Sequence, residues 1–514
     1  MHRTKWAGQQ GGKLALVTRR VGLTSLVLAV LPSCRLAAQE RGAAIDSLAL
    51  RAHTYFLSHD LLEGRGTGTR GGDVAALYLA TAAERLGLRG LAEAGDFFQP
   101  VPLVVAEIDT VHTQLLFSDS TGSYTVPSPA MFVPNAGSTR TLVDFSGALA
   151  WVGSAADVLA HPDRLPALAG RVVLMRGVFG AEAAAADTLR AHGVTGVIQL
   201  VGDDDVYGLY ARSRGESRMS LADSSARSSF IPDIPAIIAR AALVRRLLAP
   251  VISDDQLDRP FLIAGRRVDV RVRVRLRTVP ARNVMATLPG TSAARRGEYL
   301  VYTAHYDHLG IGEPDPRGDS IYNGFSDNAA GCAMLLALAQ YFVAHPPERS
   351  VAFIWFTGEE RGLLGSDYFA AHPLLPPERI TAVINLDAGA PPAPAVLWRV
   401  SGGDRSSLGP LAIAVARRAG WEAQTAPASP NTDYYPFLRL GVPAVFLVPG
   451  PGAYEGLTTD SSNALRRRWD HYHQAADQWA GDFPFAGLVR YADFALQLGL
   501  AVLAEPLLPR AVVR

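Results

Sequence analysis

The C-terminal half of the chain repeats one pattern, in which an apolar strand is followed by a polar motif and then by a helix. Predicted strands cover 299–304, 350–356, 380–386 and 442–448, and predicted helices cover 329–344, 362–372 and 408–419. This alternation favours an α/β fold with a mixed, largely parallel sheet covered by helices on both faces. In such folds ligands bind beyond the carboxyl ends of the strands, so the polar residues there are the candidates for a functional site.

Most polar residues that follow the predicted strands are ionisable. They are His305 and Asp307 in AHYDHLG, Asp327 in NGFSDNAAG, Glu359 and Glu360 in TGEERG, Asp387 in INLDAG and His473 in DHYHQAAD. Histidine and carboxylate side chains bind divalent metals, and two cysteines, Cys34 and Cys332, are too few for a thiolate site. The set predicts one or two ions of zinc or a similar divalent metal.

The spacing of these residues suggests their roles. His305 and Asp307 lie two positions apart on an extended segment, so the carboxylate can orient the imidazole from outside the metal shell. His473 and Asp477 are a second candidate pair of this kind. Asp327 lies near a helix start, where each of its two oxygens can serve one metal.

Glu359 and Glu360 are adjacent, so their side chains project in different directions from an extended loop. One can bind a metal while the other faces a bound water as a base. They follow the apolar segment VAFIWF, where a buried acidic pair needs a cationic partner.

Composition excludes several other functions. The only lysines, Lys5 and Lys13, leave no Schiff-base lysine in the rest of the chain and no phosphate loop of the Gly-Lys-Ser/Thr type. A formal net charge of +1 gives no electrostatic reason to expect a nucleic acid partner. The glycine-rich segment 61–72 (LLEGRGTGTRGG) is therefore not expected to bind nucleotides.

Residues 1–38 are typical of an export signal. They carry six basic and no acidic residues, and Arg19-Arg20 precede an apolar run over 21–31 and then Ala37-Ala38. That run is too short for a membrane span, and we identify no other stretch of about 18 consecutive apolar residues. These features predict an exported protein, periplasmic or secreted, with no transmembrane span in its mature chain. A lipid tether at Cys34, in LPSC, is one option.

Residues 110–275 have a different pattern, with short strands and turns rich in proline and glycine. A strand over 171–176, a helix over 181–192 and a strand over 194–201 form one α/β unit. The charged, serine-rich segment 203–229 is predicted to be a surface loop. This region contains no evident cluster of catalytic residues.

At these motifs the sequence resembles the zinc-dependent aminopeptidase and glutamate carboxypeptidase family, metallopeptidase family twenty-eight. The resemblance rests on LSHDLLEGRGTGTRGG, ARNVMATLPGT, the block 301–387, and TDYYPFLRLGVPAVFLV with YHQAAD. Residues 110–275 resemble the protease-associated domain that many members carry as an insertion. The resemblance implies a discontinuous di-zinc peptidase domain over 39–109 and 276–514, with the inserted domain between its two parts.

The resemblance also implies roles for single residues. Asp327 bridges two zinc ions, His305 and Asp387 complete one ion, and Glu360 and His473 complete the other. Glu359 is the general base, and Tyr472 hydrogen-bonds the oxyanion. The peptide bond between Asp327 and Asn328 is expected to be cis.

Four neighbouring residues are predicted to be less important. His308 and His471 lie near ligands but are expected to be peripheral. Asp433 is expected to cap a local loop, and Cys332 to be a small core residue.

The leading function is an exported di-zinc aminopeptidase that releases N-terminal residues from peptides with a free N-terminus. A carboxypeptidase or small-amide hydrolase of the same family is the first alternative, because the chain has many arginines that can bind a substrate carboxylate. Glutaminyl cyclisation with one zinc and a non-enzymatic binding protein are further alternatives. The ligand positions, all filled by the expected residue types, disfavour both.

Overall fold

The computed structural model describes residues 45–109, 111–126, 128, 131–134, 142–178, 184–214, 217–223, 234–240, 242–243 and 257–505. These residues all belong to one unit, Ala44–Arg514. The predicted export signal, with Cys34, lies outside the described residues.

The described chain alternates between helices and strands. The helices are α1 (Ser47–Leu57), α2 (Arg70–Arg85), α3 (Ala155–Ala160), α4 (Ala184–Ala191), α5 (Asp204–Arg214), α6 (Ala330–Ala344), α7 (Leu364–Ala371), α8 (Leu408–Arg418), α9 (Tyr435–Arg439), α10 (Thr459–Trp469) and α11 (Ala486–Ala504). The strands are β1 (Arg89–Gly90), β2 (Phe98–Ile108), β3 (Gln114–Asp119), β4 (Gly122–Val126), β5 (Phe132–Pro134), β6 (Leu142–Ser154), β7 (Arg171–Arg176), β8 (Gly196–Val201), β9 (Ser217–Leu221), β10 (Ala236–Arg240), β11 (Phe261–Leu288), β12 (Tyr299–His305), β13 (Gly310–Ile311), β14 (Ile321–Tyr322), β15 (Ser350–Phe356), β16 (Ile380–Asn385), β17 (Leu397–Ser401), β18 (Glu422–Ala426) and β19 (Ala444–Pro449).

Four parallel strands form the centre of the main sheet, in the order β15, β12, β16 and β19. Antiparallel neighbours flank them, with β11 beside β15 and β17 beside β19. The predicted mixed, largely parallel sheet is thus confirmed. Because the four central strands run in one direction, their carboxyl ends meet at one edge.

Both faces of the central sheet are buried. On β12, Leu300 and Tyr302 pack against the face covered by α1, α2, α6, α8 and α11. Val301, between them, packs on the opposite face with Phe369 of α7 and Phe437 of α9. Burial on both faces explains why these strands read as continuous apolar runs without polar alternation.

A second group of strands surrounds its own core within residues 114–272. Here β6 pairs with β7, β7 with β8 and β8 with β10, all in parallel. The strand β11 connects the two groups, since its first half pairs with β3 and β6 and its second half with β2 and β15. The predicted strand over 171–176 is confirmed as β7, and the predicted helix over 181–192 is found as α4.

The prediction of a surface loop over 203–229 is wrong for its described part, which forms α5 and β9. The carboxylate of Asp203 accepts the backbone N–H groups of Asp205 and Val206, which satisfies donors at the start of α5. Tyr207 in the first turn is almost fully buried beside Val133 of β5 and Ile238 of β10. Tertiary packing of one aromatic side chain outweighs the polar composition of this segment.

Candidate metal centre

The sequence-predicted site residues converge at the carboxyl edge of the central sheet. His305 is the last residue of β12, Glu359 and Glu360 lie in the turn after β15, Asp387 follows β16, Asp327 lies in the irregular turn before α6, and His473 lies in the loop between α10 and α11. A glycine sets the turn before Glu359. Gly358 adopts φ +69°, and a Cβ there would lie 3.1 Å from Cβ of Leu364, so this position requires glycine.

The side chain of Asn328 fixes the turn that carries Asp327. Its Oδ1 accepts the N–H of Gly331 at 2.9 Å, and its Nδ2 donates to the carbonyl of Leu386 at 3.0 Å. These bonds join the start of α6 to the segment immediately before Asp387. The peptide bond between Asp327 and Asn328 is cis, as the family resemblance implies.

Asp327 lies between two groups of donors, with one carboxylate oxygen toward each. Its Oδ1 is 3.2 Å from Nε2 of His305, and that nitrogen is 2.8 Å from Oδ1 of Asp387. Its Oδ2 is 3.2 Å from Nε2 of His473, which is 3.1 Å from Oε2 of Glu360. Tetrahedral zinc with bonds of about 2.0–2.2 Å places neighbouring donors about 3.3–3.6 Å apart. The contacts of 3.1–3.2 Å are close to this separation, and the 2.8 Å contact between His305 and Asp387 would lengthen around an ion.

The site concentrates negative charge away from water. The side chains of Asp327, Glu360 and Asp387 are each at most 10% exposed. Burial lowers the pKa of His305, but the nearby carboxylates of Asp387 and Glu359 outweigh this effect and raise the pKa well above its usual value. Buried carboxylates in this number need cations, and the histidine and carboxylate donors fit divalent metal ions.

His473 is more exposed than the other donors but shares their charge environment. Its side chain is 37% exposed, and burial lowers its pKa, but hydrogen bonds to Asp327 and Glu360 raise the pKa to about 10. The backbone of His473 has a φ of +57°, which lies in the left-handed region and is unusual for a residue other than glycine.

The sequence predicts a peripheral position for His308, but the structure buries this residue in the site. Its Nδ1 is 2.6 Å from Oε1 of Glu360 and 3.8 Å from Oδ2 of Asp327. Its Nε2 is buried, with no hydrogen-bond partner among the described residues. His308, Asp327 and Glu360 form a third group with donor atoms within 4.8 Å of one another. The sequence signal that could have placed His308 in the site is its position in AHYDHLG, three residues after the proposed ligand His305.

Asp307 contacts His305 in a different way from the one the spacing suggests. Nδ1 of His305 donates to the carbonyl oxygen of Asp307 at 3.1 Å, whereas the carboxylate Oδ1 is 3.9 Å away. This bond leaves Nε2 of His305 facing Asp327 and Asp387. The Asp307 carboxylate instead accepts the hydroxyl of Thr67 at 2.6 Å and the backbone N–H of Glu359 at 3.2 Å.

Asp477 also differs from its expected role as a partner of His473. Its carboxylate accepts the backbone N–H groups of Ser326 at 2.9 Å and of Asp327 at 3.1 Å. Asp477 therefore supports the turn that carries Asp327. Burial raises the pKa of Asp477 to about 6.

Glu359 faces the first donor group without belonging to its closest contacts. Its Oε2 is 4.0 Å from Nε2 of His305. Burial raises the pKa of Glu359 well above its usual value, and the carboxylates of Asp387 and Glu360 raise it further. A carboxyl group with a raised pKa beside metal donors has the properties of a general base that later acts as an acid.

A cleft of about 490 Å³ opens beside the donors. Its lining includes the site residues His305, Asp327, Glu359 and Asp387, the larger side chains of Phe446, Pro449, Tyr454 and Trp469, and the charged residues Arg466 and Asp470. Tyr472 also lines the cleft, is 64% exposed, and stacks on His473 with 3.8 Å between ring centroids. Tyr472 is thus a lining residue whose ring packs on His473 while most of its surface is exposed.

Sequence reasoning missed the contribution of Thr432. Its hydroxyl donates to Oδ2 of Asp387 and accepts from Nδ2 of Asn385 at 2.8 Å. Asn385 in turn accepts the hydroxyl of Thr303 at 2.7 Å, so a buried polar chain orients Asp387. No motif around Thr432 indicates this role, because the partners come from β12 and β16.

The prediction for Asp433 is wrong and the one for Cys332 is confirmed. Neither carboxylate oxygen of Asp433 accepts a hydrogen bond within 3.5 Å from a described residue, so it caps no loop. Burial raises its pKa to about 8. Cys332 is fully buried in the core on α6, where burial raises the pKa of its thiol to about 12, so it is not a reactive thiolate.

Replacing His473 with alanine is expected to remove one bound zinc per chain, because the imidazole nitrogen that lies 3.2 Å from Asp327 and 3.1 Å from Glu360 is then lost. Hydrolysis should fall on the order of 100-fold or more, since a lost metal removes several kcal/mol of stabilisation. Elemental analysis with steady-state kinetics measures both. His471→Ala, two residues away, is the matched control and should change neither. Full zinc in His473→Ala, with a deficit in His308→Ala, would assign the ligand to His308 instead.

Residues 283–498 match the sequence profile of peptidase family M28. Among curated proteins, the chain is 36% identical over 104 residues to the probable zinc metalloprotease of Pyrenophora teres f. teres, covering 20% of this chain and 22% of that protein. It is 34% identical over 119 residues to the vacuolar membrane protease of Eremothecium gossypii, covering 23% and 10% respectively. The chain thus spans less than a quarter of the length of these relatives.

Among solved structures, the chain resembles the aminopeptidase from Aneurinibacillus sp. strain AM-1. The TM-score is 0.53 at 18% identity, and the match covers 89% of this chain and 93% of that one. At this identity the likeness concerns the fold, and it agrees with the mixed α/β sheet described above.

The prediction of an exported protein is contradicted by these comparisons. The Eremothecium gossypii relative is named a vacuolar membrane protease, as are other matched relatives, and this name describes a membrane-bound location inside the cell. Among the described residues one helix, α11, is long and apolar enough to cross a membrane, and 56% of it is buried within the protein.

Proposed function

We propose that this chain, which belongs to peptidase family M28 over residues 283–498, is a zinc-dependent aminopeptidase that binds two zinc ions. The observation that carries the proposal is the position of Asp327. Its two oxygens lie 3.2 Å from Nε2 of His305 and 3.2 Å from Nε2 of His473. His305 with Asp387 would hold one ion and His473 with Glu360 the other, with Asp327 shared.

The proposed reaction is hydrolysis of a peptide bond in the cleft. When bound, the zinc ions acidify a water molecule and polarise the scissile carbonyl. Glu359 accepts a proton from the attacking water and transfers it to the leaving amine. The hydroxyl of Tyr472 donates a hydrogen bond to the developing oxyanion.

The charges that line the cleft support an aminopeptidase over a carboxypeptidase. Apart from the proposed ligands and base, the lining residue Asp470 is acidic, and its carboxylate is available to attract a substrate ammonium group. Among the lining residues, Arg466 alone is an arginine or lysine. Its guanidinium donates to the carbonyls of Gly450 at 3.3 Å and of Gly452, and it lies 4.3 Å from the Tyr454 ring centroid. Arg466 is thus engaged with the wall of the cleft, although it remains the candidate to bind a carboxylate in the alternative reaction.

We also propose that residues 110–275 form an inserted protease-associated domain, with the peptidase domain contributed by 39–109 and 276–514. Support comes from the separate apolar core formed by Leu115, Phe117, Trp151 and Val270. The strand β11 leads directly from this group into the main sheet. An inserted domain that is joined by a continuous strand has a fixed orientation at that junction.

A substrate panel distinguishes the candidate activities. Aminoacyl-anilides with a free amine should be hydrolysed, and the N-acetylated forms of the same anilides should react at least about tenfold more slowly, because an ion pair with a carboxylate of the cleft is lost. Peptides blocked at the C-terminus should remain substrates. Hydrolysis of N-blocked peptides only when the C-terminal carboxylate is free would favour a carboxypeptidase. Chelator should abolish every activity, and added zinc should restore it.

A further inference from the structure

The glycine-rich segment 61–72, which has no nucleotide-binding features, packs against the segments that precede and follow the metal donors His305 and Asp327. Arg65 is 1% exposed. Its guanidinium donates to the carbonyls of Tyr306 at 2.8 Å, Asn323 at 2.6 Å and Gly324 at 2.9 Å, and also to that of Leu57. One side chain thus joins the end of α1 to the segment after His305 and to the turn before Asp327. Four hydrogen bonds from a rigid planar group hold the segment in one position.

The backbone of the same segment continues this attachment. The carbonyl of Arg65 accepts the N–H of His308 at 3.3 Å, and Gly66 pairs with His308 as an isolated parallel bridge. Gly64 leaves no room for a side chain, since a Cβ there would lie 2.4 Å from the carbonyl oxygen of Tyr322. The segment is therefore held on both sides, and Thr67 has a defined position relative to the site.

Thr67 reaches the loop of Glu359 through one carboxylate. Its hydroxyl donates to Oδ2 of Asp307 at 2.6 Å, and Oδ1 of Asp307 accepts the backbone N–H of Glu359 at 3.2 Å. Thr67 is 6% exposed and Asp307 is fully buried. The Thr67 methyl carbon lies 3.5 Å from the position of a Cβ on Gly358, the residue before Glu359. Thr67 therefore touches the Glu359 turn both by a hydrogen-bond chain and by packing.

We propose that Thr67 is a positioning residue for hydrolysis: its hydroxyl fixes the Asp307 carboxylate, which in turn holds the backbone of Glu359 at the distance that proton transfer requires. The inference rests on the proposed role of Glu359 as general base. If the Thr67 hydroxyl is removed, the buried Asp307 carboxylate loses one of its donors and changes orientation. The Glu359 N–H donates to the same carboxylate, so the Glu359 backbone is expected to move with it. Displacement of a general base by about 1 Å costs on the order of 100-fold in rate.

The experiment compares Thr67→Val, which keeps the branched shape and the methyl group but replaces the hydroxyl with a second methyl, with Thr67→Ser, which keeps the hydroxyl. The control is Thr69→Val in the same segment. Thr69 caps α2 by accepting the N–H of Gly72 at 3.4 Å and donates to the carbonyl of Gly66 at 2.7 Å. For each variant kcat, KM, zinc content and thermal midpoint are measured on the full chain.

Thr67→Val should lower kcat about 10–100-fold, with KM and zinc content close to those of the parent chain. Thr67→Ser should restore kcat to within a few-fold. Thr69→Val should lower the thermal midpoint and leave kcat unchanged. If Thr67→Val does not fold, Thr67→Ala against Thr67→Ser supplies the same comparison.

Two results would overturn the inference. One is a kcat in Thr67→Val within twofold of the parent chain. The other is a loss of activity that added zinc fully restores, because Thr67 would then act on metal binding. Failure of the proposed function would look different from both results. The parent chain would then show no hydrolysis that depends on Glu359, so Glu359→Gln would have no activity to remove.

Discussion

Replacing Glu359 with glutamine is expected to lower kcat by about 10²–10⁴-fold and to leave bound zinc unchanged. Glutamine has the shape of glutamate but cannot accept a proton from the attacking water. Glu359 lies within 4.8 Å of donors from His305 and Glu360, but its 4.0 Å distance from His305 is longer than the contacts of the two proposed ligand groups, so we expect its loss to leave the metal bound. Steady-state kinetics and elemental analysis on the same preparation check both statements.

The adjacent residue supplies the matched control for this change. Glu360 is 3.1 Å from Nε2 of His473 and 2.6 Å from Nδ1 of His308, so Glu360→Gln should lower zinc content as well as rate. The contrast between two neighbouring glutamates separates a base from a ligand. Near-normal kcat in zinc-loaded Glu359→Gln would refute the assignment of Glu359 as the base.

Replacing Asp327 with alanine is expected to remove both zinc ions, whereas Asp387→Ala should remove one. The reason is that, among the described carboxylates, Asp327 directs one oxygen toward each imidazole, while Asp387 contacts His305 and not His473. Hydrolysis in Asp327→Ala should fall on the order of 10³-fold or more, because metal chemistry supplies several kcal/mol of the rate enhancement.

Zinc stoichiometry per chain after gel filtration measures this effect. Asp482→Ala is a suitable control, because Asp482 is 66% exposed in a surface ion pair with Arg468. That variant should bind the same zinc as the parent chain. Retention of one ion in Asp327→Ala would show that the two groups bind independently and would contradict a shared ligand.

Much of the fold follows from local sequence. The strands β12, β15 and β16 begin where the apolar runs begin and end within one residue of the predicted positions, because runs of six or seven apolar residues rich in β-branched and aromatic side chains favour a strand buried on both faces. Pairing is different. The 28 residues of β11 join two sheets, and no local pattern specifies which strands lie on either side of each half.

The site shows the same division. The candidate ligands are visible from residue type and position after strands, since donor chemistry and the edge of a parallel sheet are local properties. The outer contacts are not. His308, Thr67 and Thr432 became part of the site only because residues 65–67, β12, β16 and the loop around 432 pack together.

The amino-acid sequence by itself determined the alternation of strands and helices, the chemistry of the donors, and the edge of the sheet at which they meet. Only the tertiary structure decided which oxygen of Asp327 faces which imidazole, and that Asp307 holds the Glu359 turn while its carbonyl holds His305. The physical reason is range. Secondary structure depends on neighbours a few residues apart, whereas a hydrogen bond between Thr67 and Asp307 joins residues 240 positions apart and exists only after the core has packed.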